Sequence, residues 1–297
     1  MSINILLSSV EQGLVYGIMA LGVYLTFRIL DFPDLTVDGS FPLGAAVAAK
    51  LIVLGLHPVL ATLIALLVGM LAGVITGLLN TKLKITGLLS GILTMTALYS
   101  INLRIMGRAN ISLLDANKIF DLLAGWGLSE DKSILLCFLI VIVILKFVID
   151  WFLKTELGLS LRATGDNKQM IRSLGVNTDL TIILGLALSN GLVALSGALV
   201  AQHQGFTDVK MGIGMIIIGL ASVIIGETII RSSKIKWATL GVICGSVIYR
   251  LVITLALRLD LNPNDLKLMT AILVIAALGA PTIKKQINIG KLQGGVS

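Results

Sequence analysis

Two carboxylates, Asp34 and Asp38, lie between long apolar stretches and next to Pro33, Gly39 and Pro42. A carboxylate is costly to place among apolar residues, so each one needs a structural or functional reason. Proline and glycine also break a helix and leave backbone groups that must face protein or water. Two interpretations stay open: the pair lines a gate or solute route, or it lies in a turn exposed to solvent.

Uncharged polar residues within the apolar stretches are the second group of candidates. Their hydroxyl and amide groups either hydrogen-bond neighbouring helices, at about 0.6 kcal/mol per bond in membranes, or give a passing solute weak contacts. Both interpretations stay open. With Asp34 and Asp38, the candidates for a translocation path are Thr94, Thr96, Asn102, Ser189, Asn190 and Ser222.

The residues that catalysis, metal binding or ATP binding would need are not arranged in known patterns. The two cysteines and two histidines are too dispersed for a ligand cluster. The sequence contains no G-x-x-x-x-G-K-[ST], H-E-x-x-H or G-x-S-x-G pattern. We therefore expect no enzyme activity, no metal and no cofactor on this chain, so that any ATP-driven step must take place on a partner.

The composition indicates which elements position these residues. Of the 297 residues, 56% are hydrophobic and 13% are charged, and 31 are glycines. Soluble domains are closer to about 25% charged, so this composition excludes a soluble or disordered chain and favours glycine-packed helices surrounded by membrane lipid. The net charge of +7 is not clustered in a stripe, which argues against a nucleic-acid partner.

Nine apolar stretches approach the roughly 20 residues that a membrane-crossing helix needs. They are 12–28, 37–56, 58–80, 87–106, 133–153, 180–202, 212–228, 237–257 and 267–283. Alternate loops are enriched in Lys and Arg, which predicts that they are cytoplasmic. The sequence therefore predicts an all-α integral membrane protein of the bacterial plasma membrane. It would form a single transmembrane domain over residues 1–297, with its N-terminus outside and its C-terminus in the cytoplasm.

The two parts of the chain share a pattern of glycine-rich helix, polar break and second glycine-rich helix. Gly17-Ile-Met-Ala-Leu21 matches Gly191-Leu-Val-Ala-Leu195, and the same offset relates Phe32-Pro-Asp34 to Phe206-Thr-Asp208. One residue further on, Gly44-Ala-Ala-Val47 resembles Gly219-Leu-Ala-Ser-Val223. The pattern predicts an inverted repeat of spans 1–4 and 6–9 around span 5, with halves at about 12–106 and 180–283. Inverted repeats are common in transporters.

A polar segment, residues 154–179, separates spans 5 and 6 on the predicted cytoplasmic side. Asp166 and Gln169 have the spacing of a capping box, and Gly175 is suited to end a helix. Met170, Ile171 and Leu174 are predicted to share one face of this short amphipathic helix. That face would rest on the membrane surface or fit a groove on a cytoplasmic partner.

This segment and the helix after it, TELGLSLRATGDNKQMIRSLGVNTDLTIILGLALSNGLVALSGALVA, resemble the ABC importer permeases of the branched-chain amino acid and ribose type. GLVYGIMALGVYLTFRILDFPDLTVDGSFPLGA and GLASVIIGE resemble other parts of the same family. The string from Asp31 to Ser40 looks more like a subgroup linked to the uptake of aromatic amino acids such as tryptophan. The resemblance implies that residues 164–175 form a coupling helix that docks on an ATPase. Its contacts would be Thr164, Gly165, Asp166, Asn167, Met170, Ile171, Arg172, Leu174 and Gly175.

The favoured hypothesis is thus the membrane-spanning subunit of a bacterial ABC importer for an amino acid or similar small polar solute. The resemblance implies a second permease copy, two ATPase subunits that hold ATP and Mg²⁺, and an extracellular or periplasmic solute-binding protein. An ion-coupled secondary transporter would also explain the repeat, and a membrane scaffold without transport activity is the third hypothesis.

Overall fold

A computed structural model describes residues 3–114, 116–121, 130–232 and 234–258, together with residues 268, 270–272 and 275. Within these ranges the chain is mostly α-helical, as the sequence predicts. The helices are α1 (Ile3–Val23), α2 (Val37–Val53), α3 (Pro58–Thr81), α4 (Gly87–Met106), α5 (Glu130–Phe152), α6 (Glu156–Asp166), α7 (Lys168–Ser173), α8 (Thr178–Gln204), α9 (Met215–Ile229) and α10 (Ile235–Arg258). A π-helical turn, Tyr24–Ile29, extends α1.

The number of membrane crossings differs from the nine that the sequence predicts. Among the described residues, six stretches are long and apolar enough to cross a membrane. They are Ile5–Ile29, Pro58–Thr81, Gly87–Met106, Lys132–Phe152, Thr178–Gln204 and Ile235–Leu257. The second and seventh predicted spans correspond to α2 and α9, which are helical but short. The ninth, 267–283, lies almost wholly outside the described residues.

Helix α8 is the central element of the bundle. It is buried over most of its length and packs against α1, α2 and α3. Small residues permit this close approach: a Cβ added at Gly73 would collide with the carbonyl of Leu186, and one added at Gly44 with the carbonyl of Ala194. Such contacts between small residues are how helices associate where the lipid gives no hydrophobic driving force.

Helix α8 also gives the molecule two ends. Its 27 residues span about 40 Å at 1.5 Å per residue. Its first residues lie beside α6 and α7, which define the loop end of the bundle. Its last residues lead into β2 (Phe206–Asp208), which pairs antiparallel with β1 (Asn110–Ser112) and defines the strand end.

Helices α2 and α9 both begin inside the bundle and run toward opposite ends. The first connection, residues 30–36, leads into α2, where Ser40 contacts Asn190 at the middle of α8; α2 then ends beside the strand end. The second connection, residues 205–214, leads into α9, which begins beside Asp38 and ends beside Arg28 at the loop end. This explains why neither helix is long enough to cross a membrane.

Contacts between the two predicted halves are reciprocal. Helix α8 packs against α2 and α3, while α1 packs against α9 and α10. An inverted repeat would produce this exchange of partners, but the repeat itself stays a prediction.

Candidate functional site

The polar segment between α5 and α8 forms two helices rather than the single one that the sequence predicts. Asp166 is the last residue of α6, and it is not the N-cap of the short helix. That role belongs to Asn167, whose Oδ1 accepts a hydrogen bond from the backbone N–H of Met170 at 3.0 Å. Asn167 has extended backbone angles, which break the helix in two. Gly175, at φ +86°, adopts the left-handed conformation that the sequence predicts.

One part of this segment is anchored in the bundle. Thr164 is fully buried, and its hydroxyl lies 3.0 Å from that of Thr181 on α8. Gly165 packs so closely on the π-helical turn that an added Cβ would collide with the carbonyl of Ile29. These contacts join α6 to the ends of α1 and α8.

A second set of contacts anchors α7. The Nε of Arg172 donates to the hydroxyl of Thr178 at 3.0 Å, and its Nη2 lies 3.3 Å from the Oδ1 of Asp179. The Nζ of Lys82, just after α3, lies 3.5 Å from the other oxygen of Asp179. The segment therefore contacts the ends of α1 and α8 directly and is linked to the end of α3 only through Asp179, by ion pairs with exposed basic side chains.

The exposed side chains of α7 and of its C-cap residue are polar except for Met170 and Leu174. Met170 is 51% exposed and Leu174 is 70% exposed, whereas Ile171 is buried. The prediction that all three side chains share one face is therefore wrong for Ile171, which packs inward. The exposed pair remains available to a partner or a lipid surface.

A buried carboxylate holds the first connection in place. Asp34 is 2% exposed; its Oδ1 accepts the N–H of Thr36 at 2.9 Å and its Oδ2 accepts the Nδ2 of Asn190 at 2.7 Å. Burial raises the pKa of Asp34, and the hydrogen bonds from Thr36 and Asn190 oppose this effect. The interpretation of Asp34 as a solvated turn residue is wrong, because the carboxylate lies in the interior.

Hydroxyl groups extend this arrangement across the bundle. Ser40 donates to the Oδ1 of Asn190 at 2.7 Å, and the hydroxyls of Thr36 and Thr76 lie 2.8 Å apart. Thr76 in turn donates to Thr94 at 3.0 Å. Sequence reasoning selected Asp34, Asn190 and Thr94 but missed the three residues between them. Their one signal was a polar side chain within or beside an apolar stretch.

Asp38 caps the helix of the opposite half. Its two carboxylate oxygens accept the backbone N–H groups of Gly214 and Ile216, each at 2.9 Å. These amides have no partner within α9, so Asp38 satisfies them and also places a negative charge at the positive end of the helix.

Two of the predicted path residues donate hydrogen bonds to backbone carbonyl groups of helices. Ser189 is fully buried and donates to the carbonyl of Gly22 at 2.7 Å, which ties α8 to α1. Ser222 donates to the carbonyl of Ile218 within α9 at 2.8 Å.

Three other predicted path residues, Asp38, Thr96 and Asn102, lie together. They line a cavity of about 320 Å³ beside the start of α9, which we call the junction cavity. Its other lining residues are Gly39, Pro42, Met95, Tyr99, Val209 and Ile213. Thr96 and Tyr99 belong to an exposed face of α4, so the cavity opens on the surface of this chain.

A larger cavity, of about 630 Å³, lies at the loop end between the π-helical turn, α6 and the α9–α10 connection. The Nε of Arg28 lies 2.7 Å from the Oε1 of Glu227 across it, so an ion pair joins the ends of α1 and α9. Arg28 and Glu227 are partly exposed, so this pair contributes little stability on its own.

Comparisons with known proteins place this arrangement in a family. Residues 5–278 match the family model described as "Branched-chain amino acid transport system / permease component". The chain is 49% identical to the tyrosine transport system permease protein of Clostridioides difficile strain R20291, over 92% of this chain and 90% of that protein. It is 37% identical to the uncharacterized protein RP368 of Rickettsia prowazekii, over 93% and 98%. It is 30% identical to the ribose import permease protein RbsC of Bacillus subtilis, over 84% and 74%.

Proposed function

The chain belongs to the family of branched-chain amino acid transport system permease components, and we propose that it is the membrane-spanning subunit through which a bacterial ABC importer moves an amino acid. At a coarser level it is a permease component of an ABC-type transport system for amino acids or sugars, and a multi-pass protein of the bacterial inner membrane. In the proposal, ATPase subunits supply the energy and an external binding protein delivers the solute.

An aromatic amino acid is the solute we propose. The relative that shares 49% of its residues, over nine-tenths of both chains, is named for tyrosine transport. The string from Asp31 to Ser40 is consistent with the same class, since it resembles the subgroup linked to aromatic amino acids.

The proposal rests on how α7 is attached to the rest of the bundle. Its exposed side chains include the apolar Met170 and, at its C-terminal end, Leu174, while Arg172 and the preceding Gly165 contact the helix ends. A six-residue helix is not stable by itself in water, so these anchors hold it in place. A partner that pushed on α7 would therefore move the ends of α1 and α8. We propose that an ATPase subunit does so through the exposed residues of the segment 164–175; the predicted contacts at Thr164 and Ile171 are wrong, because both side chains are buried.

The exposed face of α4 supports a path beside a second copy of this chain. Along α3 the exposed side chains are all apolar, as a lipid-facing surface requires. Helix α4 exposes apolar residues such as Leu93 and Ile101, but also Thr96, Tyr99 and Ser100. We propose that this face lines a solute path closed by the second permease copy rather than lipid.

The test measures whether the ATPase subunit co-purifies with variants of this chain. The variants replace two leucines that are equally exposed at opposite ends of the bundle. Leu174 and Leu54 are both 70% exposed, at the loop end and the strand end respectively. We expect Leu174→Glu to abolish co-purification of the ATPase subunit, because a charge would be buried at the interface. Leu54→Glu should retain the ATPase.

The transport arm uses proteoliposomes that contain permease, ATPase and binding protein. We expect uptake of radiolabelled L-tyrosine that requires ATP and is lost in Leu174→Glu. Equal ATPase binding by the two leucine variants would show that the coupling assignment is wrong. Uptake driven by an ion gradient without ATP would instead favour a secondary transporter.

A further inference from the structure

The junction cavity lies where the two short helices begin. Its lining comes from the first turns of α2, the exposed face of α4 and the connection before α9. At about 320 Å³ it has the volume of a small-molecule site, which starts at roughly 300 Å³. Neither the packing of α8 nor the coupling segment accounts for it.

Asn102 carries a polar atom that has no hydrogen-bond partner among the described residues. Its side chain is fully buried, and its Nδ2 donates to the carbonyl of Gly39 at 3.3 Å. The Oδ1 of the same amide is inaccessible to water and has no hydrogen-bond partner among the described residues. Buried acceptors in native proteins are nearly always satisfied, so this oxygen marks a position where a donor is expected.

The charge of the cavity lining indicates what kind of hydrogen-bond donor would bind there. Asp38 is the only acidic or basic residue among the described residues that line it. Its carboxylate already accepts two backbone N–H groups of the α9 connection, but each oxygen has a further lone pair. A cationic donor would satisfy Asn102 and also be attracted by Asp38, whereas an anion would be repelled.

The other lining residues indicate that the remainder of the ligand is apolar or aromatic. Met95, Val209 and Ile213 are apolar, and Tyr99 presents an aromatic ring that is 44% exposed. Thioether and aromatic groups pack well against an aromatic ring. The cavity therefore combines one cation-accepting side with one apolar side.

We propose that the junction cavity is a transient solute site in which the carboxylate of Asp38 attracts a protonated amino group and the buried Asn102 amide turns to present its Oδ1 to that group. The aromatic side chain of the solute lies against Met95 and Tyr99. This inference rests on the proposed function and narrows it: the permease itself selects for an amine, in addition to any selection by the binding protein.

The test measures binding to the permease–ATPase complex in lipid nanodiscs by saturation-transfer difference NMR, without the binding protein. The probes are tyramine, L-tyrosine and 3-(4-hydroxyphenyl)propionate, which share the ring and differ in the amine and the carboxylate. We expect tyramine and L-tyrosine to bind and the propionate, which lacks the amine, to bind at least about tenfold more weakly.

Four variants test whether binding takes place in the cavity. Asn102→Leu should weaken tyramine binding by about tenfold, and Asn102→Asp, which keeps an acceptor oxygen, should restore it. Asn80→Leu, the same substitution near the loop end and outside this cavity, should leave tyramine binding unchanged. Should Asn102→Leu fail to fold, Thr96→Trp fills the cavity from its exposed side and is expected to abolish binding.

Equal binding of tyramine and the propionate, or unchanged tyramine binding in Asn102→Leu or in Thr96→Trp, would overturn the site. Failure of the proposed function has a separate signature, since it would appear as absence of ATP-dependent uptake by the complete complex. The nanodisc measurement is independent of that result and decides the cavity by itself.

Discussion

The two connections that lead into α2 and α9 share a Phe-x-Asp pattern but are held in different ways. In the first, Asp34 is buried and bonds both to its own segment, at Thr36, and to the middle of α8, at Asn190. In the second, the Asp208 carboxylate accepts, among the described residues, only the nearby N–H of Lys210, at 2.7 Å, and the segment is fixed by strand pairing and by Asp38 of the first half.

The first half therefore organises the junction. Asp34 and Asp38, four residues apart, hold respectively the first connection against α8 and the start of α9. The second connection contributes backbone N–H groups and no equivalent side chain. Substitutions at matching positions of the two halves should therefore have unequal effects.

The largest difference is expected at the matching glycines Gly44 and Gly219. A Cβ at Gly44 would collide with the backbone carbonyl of Ala194, which cannot move without displacing α8. A Cβ at Gly219 would lie 2.7 Å from a methyl group of Val23, a stiff and buried side chain but not backbone. We expect Gly44→Ala to cost about 3 kcal/mol and Gly219→Ala about 1 kcal/mol. Thermal unfolding of the detergent-purified variants measures this. Similar melting temperatures would show that the two helices are packed equally.

The aspartates of the two connections give the next difference. Asp34→Ala leaves the N–H of Thr36 without an acceptor and removes the bond to Asn190, which should cost about 2 kcal/mol. Asp208→Ala removes one bond in a partly exposed turn and should cost about 0.5 kcal/mol. Unfolding midpoints of the two variants in detergent provide the measurement. A larger loss for Asp208→Ala would reverse the assignment of the organising half.

The sequence predicts the helices better than it predicts this asymmetry. Long apolar runs identify α3, α5, α8 and α10, and Gly175 correctly marks a left-handed turn, because both signals are local. The matching Phe-x-Asp strings look equivalent, since burial of Asp34 depends on Asn190, a residue from the other half. The cap at Asn167 was misplaced by one residue because Asp166 satisfies the same local pattern.

For the junction cavity, the sequence likewise identifies individual residues but does not predict how they are grouped. Polar residues in apolar runs located Asp38, Thr96 and Asn102, but nothing in their spacing places them around one cavity. That placement depends on α2 and α9 beginning inside the bundle, which turns two apparent spans into shorter helices. Ser189 has the same appearance in the sequence and instead bonds to the carbonyl of Gly22.

Removing the Asp38 cap should loosen the second half locally. Asp38→Ala leaves the N–H groups of Gly214 and Ile216 without acceptors at the start of α9, and caps of this kind contribute about 1 kcal/mol. We expect faster hydrogen–deuterium exchange over residues 214–218, measured by mass spectrometry, with unchanged exchange in α3. Unchanged exchange at the start of α9 would show that the second connection holds itself.

The smallest effect concerns the hydroxyls that support only the first connection. Thr76→Val removes the group that links Thr36 to Thr94, and bonds between membrane helices contribute about 0.6 kcal/mol on average. Thr228→Val is the control, since Thr228 is exposed on α9 and bonds only to the carbonyl of Ile224 in its own helix. Paired unfolding curves should show a small loss for Thr76→Val and none for Thr228→Val. If both variants were neutral, Asp34 alone would hold the first connection, because the shape of Val preserves the packing and leaves the carboxylate bonds intact.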